Sequence, residues 1–297
     1  MPNDIKKILG HTNIFKDINK VDYIEQIGSS KYKIIIDEKA YVFSLYDLAE
    51  YDDINNETFV NEILESAGLN PLDIYEKGIM PDIERSYKIY EFRDEVALRD
   101  VLQNANKEFK EELGEKFGKA LKKLHSLKPD QKIDWKKEFL IKSNQIFYKH
   151  GLGEIKDDDY ILTDFINANR HLTENTAVNL LYKDISDKNI RVYNKDNLDL
   201  RAIKSLEYGD GIVDFIEINK IAISHPEFAK ATLYSYHDSN KPPRKFFRLL
   251  SLYQATALLE DLINIRNNKE SKLKDKEIEA IFAMYDNFNN IVPNWAV

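Results

Sequence analysis

The sequence contains no cysteine, so disulfides, thiolate metal centres and a cysteine nucleophile are excluded together. Glycine (10) and proline (8) are too sparse across 297 residues to build flexible linkers, and no internal repeat or low-complexity tract interrupts the chain. No apolar run approaches the roughly 18 residues that a membrane-spanning helix needs. An excess of positive charge is also missing. The 43 Lys and Arg face 51 Asp and Glu, a net of −8, which argues against duplex nucleic acid as the main partner. The opening Met1-Pro2-Asn3-Asp4-Ile5-Lys6 carries an early acid and no apolar segment, so no secretory signal is expected and the expected location is cytoplasmic. What is present is 43% hydrophobic and 32% charged residues, enough apolar material for a packed core under a charged surface, which excludes a disordered chain. At about 150 residues per domain, the length fits one large domain or two lobes.

Periodicity separates a β-rich beginning from a helical remainder. After an amphipathic start around Ile5, Ile8 and Leu9, the residues from Tyr23 to Ser44 are β-like. Tyr32–Ile36 and Tyr41–Leu45 flank the turn Asp37-Glu38-Lys39 and predict an antiparallel hairpin. A helix is predicted from Glu57 to Ala67, with Phe59, Ile63 and Ala67 on one face and Gly68 ending it, and a strand from Ser86 to Phe92. A long helix from Asn106 to Leu127 carries the stripe Leu113, Phe117, Leu121 and Leu124. Two more helices are predicted near 136–150 and 158–170. A buried strand over Val178–Tyr182 follows, then a second hairpin around Asn194-Lys195-Asp196-Asn197. From Asp214 the chain reads as helical again, with Phe246, Leu249, Leu250, Tyr253 and Ala257 on one face.

The β insert holds the residues with the strongest chemical signal. Asp184 and Asn189 lie five positions apart just after the buried strand, and a second acidic cluster, Glu207 to Asp210, follows the hairpin. Phosphoryl transfer needs a carboxylate to orient an attacking hydroxyl and hard oxygen ligands to hold magnesium on the phosphates. An Asp, an amide and a second acid supply that set.

In order and spacing these residues resemble the aminoglycoside phosphotransferase/choline kinase family. Its catalytic loop H-G-D-x-x-x-x-N corresponds to Tyr182-Lys183-Asp184 through Asn189, and its I-D-F-G-D segment to Leu206-Glu207-Tyr208-Gly209-Asp210. Ile27-Gly28-Ser29-Ser30-Lys31-Tyr32 is similar to its Gly-Ser nucleotide loop. Glu62 falls where its first-lobe helix carries a glutamate, and Ile89-Tyr90-Glu91-Phe92 takes the hinge position. Leu121 to His125 is similar to the family's helix ending in Leu-His. The resemblance runs from about residue 20 to 265.

The resemblance implies an α+β, two-lobed protein-kinase-like fold. Residues 1–93 would form a small β-rich nucleotide lobe, and residues 94–297 a larger, mostly helical substrate lobe. It implies ATP, or another nucleoside triphosphate, with Mg2+ as cofactors, and a hydroxyl of a small cationic molecule as acceptor. Asp184 would be the catalytic base, Asn189 and Glu207 the metal ligands, and Gly28, Ser29, Ser30, Lys33, Glu62 and Glu91 the nucleotide-binding residues.

Three positions depart from the pattern. Ser44 or Leu45 stands where the family has its phosphate-holding lysine, Tyr182 replaces the loop histidine, and Glu207 replaces the metal-binding aspartate. A shifted alignment would place Ser205 at that metal position instead. Lys31 and Lys33 share a strand face directly after Gly28, so either offers an ammonium in place of the missing one, beside the plainer reading of both as exposed strand residues. The departures also leave open a protein of the same fold that binds ligand or partner without turnover.

Other signals have plainer readings. His125, near a helix end, is expected to meet terminal carbonyls, and the remaining histidines show no metal spacing. Asp157-Asp158-Asp159 reads as a helix start, with a rim for a cationic substrate as the sharper alternative.

Overall fold

The computed structural model describes residues 2–182, 185–200 and 206–297; the side chains of residues 2–4, 157 and 199 fall outside that description. The chain divides into two compact units, the first running to Glu95 and the second starting at Val96, with Asp199 and Leu200 grouping with the first.

The first unit is an antiparallel sheet with one helix against each face. Its elements are α1 (Pro2–Leu9), β1 (Val21–Gly28), β2 (Lys31–Ile36), β3 (Lys39–Asp47), α2 (Tyr51–Ser66), β4 (Ile74–Met80) and β5 (Arg85–Glu91), and the strand order is β1-β2-β3-β5-β4. The predicted hairpin is β2–β3. Asp37 and Glu38 both have positive φ (47° and 65°), the two-residue turn whose twist matches paired strands. On one sheet face, Ile34, Phe43 and Ile89 pack with Ile5 and Leu9 of α1 and with Phe15. The opposite face carries Val42 and Tyr90.

Helix α2 begins six residues before its predicted start, at Tyr51. The added turns change its inward stripe. Ile54, Val60 and Leu64 are buried, whereas Phe59, expected inside, is 57% exposed. At 100° per residue, Glu57 and Asn61 lie on the inward stripe, while Phe59 and Glu62 point away from it.

The second unit comprises β6 (Glu95–Ala97, whose first residue groups with the first unit), α3 (Leu98–Asn104), α4 (Lys107–Ser126), α5 (Trp135–Leu152), α6 (Tyr160–Asn169), β7 (Asn179–Leu181), β8 (Ile190–Tyr193), β9 (Asn197–Leu200, whose last two residues group with the first unit), β10 (Glu207–Gly209), α7 (Phe215–Ala222), α8 (Pro226–Tyr236), α9 (Arg244–Arg266) and α10 (Asp275–Met284). The predicted stripe of α4 is realised: Leu113, Phe117, Leu121 and Leu124 are all fully buried. Gly114 and Gly118 lie one turn apart on α4. A side chain on either would collide with a backbone carbonyl of α8, Phe228 or Thr232 respectively. Two helices thus meet at backbone distance, and only glycine permits it. Helix α9 is buried around most of its circumference, because α5, α6 and α7 surround it. The one-face reading of α9 was therefore too narrow. The second hairpin is β8–β9, with Asn194 and Lys195 at positive φ. Among the described residues, no helix is long and apolar enough to cross a membrane.

Candidate active site

Strand β7 sits where the end of α4 can anchor it. Leu180 N–H donates to Leu127 O (3.0 Å), the Asn179 side-chain amide donates to His125 O, and Leu180 is fully buried. Strand β10 pairs with β7 in antiparallel register, Glu207 opposite Leu181 and Gly209 opposite Asn179. This register sets Glu207 beside Leu181, at the end of β7. Asp184 itself, like Ser205, lies outside the described residues.

The residue two positions before Asp184 is held firmly. Tyr182 N–H donates to Asp214 Oδ2 at 2.7 Å, and both residues are buried. The same carboxylate oxygen is 3.0 Å from His125 Nε2, and His125 Nδ1 is 2.9 Å from the Tyr236 hydroxyl. An ionised carboxylate only accepts, so Nε2–H is the donor to Asp214. Burial, reinforced by Asp210 and Asp214, pushes the Tyr236 phenol well above its ordinary range and keeps it protonated. The side chain of His125 therefore meets a buried carboxylate and a phenol, in place of the expected helix-terminal carbonyls.

A second buried acid secures the far end of β10. Asp210 accepts from Ile212 N–H (3.0 Å) and from the Tyr253 hydroxyl (2.7 Å), which in turn accepts from Trp135 Nε1 (2.9 Å). Burial raises the Asp210 carboxyl above the usual carboxylate range, against the pull of these hydrogen bonds. Beyond the strand end the loop is tightened by Ser186, whose hydroxyl and carbonyl both accept from Asn189 N–H at 3.1 Å.

In the first unit one register row runs across the sheet from Gly28. Successive strand registers set Gly28 opposite Lys31, Lys31 opposite Ser44, Ser44 opposite Lys88 and Lys88 opposite Lys77. Directly opposed residues share a sheet face. The row therefore starts at the Gly28-Ser29-Ser30 turn, where Leu45 N–H donates to Ser30 O (2.9 Å), and passes under α2. Lys88 is the buried cation of that row. Its Nζ lies 2.5 Å from Glu57 Oε2, and its side chain is only 8% exposed.

Lys33, Glu62 and Glu91, the other residues expected at the nucleotide, do not lie on this row. Glu62 is exposed, so the α2 carboxylate that meets a sheet lysine is Glu57. Lys33 sits on the same face opposite Val42, with its ammonium 4.0 Å above the Phe92 ring. Glu91 donates its N–H to Asp73 O (2.9 Å), while its carboxylate is held by Arg93 at 2.7 Å. Lys88 and Glu57 were missed by the sequence reading. The available signal was a lysine inside the otherwise apolar run Tyr87-Lys88-Ile89-Tyr90.

Within the second unit, a cavity of about 610 Å³ is lined by five acids, Asp214, Glu217, Glu260, Asp261 and Glu270, and by three lysines, Lys142, Lys220 and Lys272. Two exposed lysines reach these acids: Lys272 Nζ lies 3.6 Å from Glu217, and Lys142 Nζ 3.5 Å from Glu260. Burial pushes the Glu217 carboxyl up despite Lys272 and Lys220 nearby. The alternative rim at Asp157-Asp158-Asp159 fails at Asp159. That residue is 4% exposed and committed internally to Arg266 (2.6 and 2.7 Å), His150 (2.8 Å) and Lys156 N–H (3.0 Å).

Among the described residues, no group of three or more His, Asp or Glu side chains forms a metal centre by itself. Magnesium in phosphoryl transfer needs no such cage, because it takes one or two protein oxygens and completes its shell with phosphates and water. An amide and a carboxylate, Asn189 and Glu207, suit that requirement.

No family model and no curated protein sequence matches the chain. Solved structures do. The GDP complex of aminoglycoside 2'-phosphotransferase-IIIa superposes with a TM-score of 0.61 at 14% identity, covering 96% of this chain and 98% of that one. A thermostable mutant of aminoglycoside phosphotransferase APH(4)-Ia, in ternary complex with AMP-PNP and hygromycin B, gives 0.59 at 13%, covering 97% and 98%. A choline/ethanolamine kinase family protein from Mesorhizobium loti gives 0.60 at 10%, covering 98% and 97%. The chain has the aminoglycoside-kinase fold. A β-rich first part and a helical second part, as the sequence resemblance implied, are what these solved structures match across nearly the whole chain.

Proposed function

We propose that this protein is a small-molecule kinase that transfers the γ-phosphoryl group of ATP, or of another nucleoside triphosphate, to a hydroxyl on a cationic acceptor. Asp184 accepts the hydroxyl proton as general base, and Asn189 and Glu207 hold Mg2+, which supplies neutralisation of the phosphate charge. Gly28, Ser29 and Ser30 cradle the phosphates, the segment around Glu91 takes the base, and residues 1–93 serve as nucleotide lobe to a substrate lobe of residues 94–297. The observation that carries this reading is the double engagement of Asp214. Its carboxylate fixes Tyr182, two residues before the proposed base, and it also lines an acidic cavity large enough for a drug-sized ligand. One residue thus joins the proposed catalytic loop to a cavity lined by five acids against three lysines, an excess that suits an amine-bearing acceptor. The solved relatives bound to nucleotides and to hygromycin B support the same class of reactants.

A second reading, ligand binding without turnover, is favoured by the phosphate-lysine position falling at Ser44 or Leu45. Turnover measurements across aminoglycosides, choline and sugars, with Asp184→Asn as control, separate the two. The kinase reading requires Mg2+-dependent transfer that Asp184→Asn abolishes while the fold is retained.

A further inference from the structure

A kinase of this design needs a cation against the phosphates, yet the expected strand position falls at Ser44 or Leu45, neither charged, and Ser44, on the face that meets α2, is fully buried. Three lysines share its sheet face on neighbouring strands: Lys31, Lys33 and Lys88. They differ in what holds them. Lys31 is exposed, and Lys33 is drawn onto the Phe92 ring. Lys88 stands directly opposite Ser44, one strand over, with its ammonium fixed by Glu57 from α2 and flanked by the rings of Tyr90 (4.8 Å to the centroid) and Tyr46 (5.8 Å). The pair is not sealed, since the Glu57 side chain remains 32% exposed.

We propose that Lys88, oriented by Glu57, supplies the ammonium that meets the nucleotide's phosphates, so that the charge has moved from β3 to β5 along one register row. This rests on the kinase reading above and replaces the expectation that Lys31 or Lys33 does the work. A neighbouring strand is about 4.8 Å away, a displacement the flexible four-carbon stem of lysine can span. Glu57 fixes the ammonium in place, which lowers the entropy lost on meeting a phosphate. Its carboxylate lies on the inward stripe of α2, where a carboxylate is expensive to bury unless it has such a partner.

The test is a titration of ATP and of adenosine, each with Mg2+, into wild type, Lys88→Met and the double variant Ser44→Lys/Lys88→Ser. Phosphate contact predicts that Lys88→Met weakens ATP binding at least about thirtyfold and leaves adenosine binding unchanged. The double variant, which returns the charge to β3 in the same row, recovers most of the lost ATP affinity. If Lys88→Met binds ATP like wild type, or loses ATP and adenosine equally, Lys88 is a structural ion-pair partner and the proposal fails while the kinase reading stands. If wild type itself binds no ATP, both fail. Should Lys88→Met not fold, Glu57→Gln/Lys88→Gln removes the ammonium without stranding a buried charge, and the same comparison of ATP with adenosine decides.

Discussion

Asp214 accepts the backbone N–H of Tyr182 at 2.7 Å while the same oxygen takes the imidazole of His125 at 3.0 Å. A single buried carboxylate thus ties the end of α4 to the loop of the proposed base. Replacing it by Asn keeps the shape but removes the charge that both donors meet. We expect Asp214→Asn to lower kcat about a hundredfold, the cost of a displacement near 1 Å at a reacting group, with KM for ATP little changed. Steady-state kinetics at saturating acceptor checks this; an unaltered kcat would mean that the hydrogen bond serves folding alone.

The acidic cavity makes a prediction about the acceptor. Glu217→Gln and Glu260→Gln should each raise KM for a cationic acceptor about tenfold, roughly 1.4 kcal/mol, and leave KM for ATP unaltered. A neutral acceptor of similar size should show no such change. If neither substitution distinguishes charged from uncharged acceptors, the cavity is not the acceptor site.

Asp159 provides the pH dependence. Burial alone would raise its carboxyl, but the Arg266 guanidinium, the Lys156 N–H and His150 together hold it far below the ordinary carboxylate range. A depressed folded pKa means that the stabilisation is complete above the unfolded pKa, near 4, and is lost as pH falls through and below it. Asp159→Asn strands a buried guanidinium and should cost about 3–5 kcal/mol near neutrality. Denaturant melts from pH 5 to pH 3, below the imidazole range, should show the gap between wild type and variant closing. A constant gap would contradict the assignment.

The α4–α8 crossing predicts opposite signs for one chemical change. Ala at Gly114 gains about 0.5–1 kcal/mol of helix propensity, but its methyl would overlap the Phe228 carbonyl, and overpacking costs about 1–3 kcal/mol. Net destabilisation is expected. In α5, a methyl at Gly151 meets nothing within 4 Å, so Gly151→Ala should stabilise by up to about 1 kcal/mol. Paired thermal melts read both signs.

Gly28 separates fold from function. A Cβ there would make only ordinary contact with Lys31, at 3.5 Å. Gly28→Ala should therefore fold like wild type within about 0.5 kcal/mol, as a surface change does. If the Gly28-Ser29-Ser30 turn cradles phosphates, ATP affinity should still fall at least about tenfold. An ATP affinity equal to wild type would remove this turn from the nucleotide site.

Much of the architecture was legible because local pattern and tertiary demand coincide. The α4 stripe is an example: every apolar residue read at helical spacing is buried. Strand β4 was missed, because Glu76, Lys77 and Gly78 interrupt its apolar residues, as suits an edge strand whose pairing is supplied by β5. The inward face of α2 was misread because its first turn, with Asp52 and Asp53, looks like loop until the helix dipole that favours acids there is counted. At the candidate site, the expectations for Asn189 and Glu207 came from short motifs that a sequence window contains. Lys88 was not legible, because its meaning lies in a register across three strands that no sequence window contains. The engagement of Asp214 was illegible for the same reason, since its partners Tyr182 and His125 are 32 and 89 residues away.

The most direct measurement is phosphoryl transfer from γ-labelled ATP to cationic hydroxyl compounds, with and without Mg2+, for wild type and Asp184→Asn. The account predicts Mg2+-dependent labelling of at least one such acceptor by wild type, and a loss of a thousandfold or more in Asp184→Asn with ATP binding preserved. Labelling that persists undiminished in Asp184→Asn, or no labelling by wild type of any acceptor tried, would contradict it.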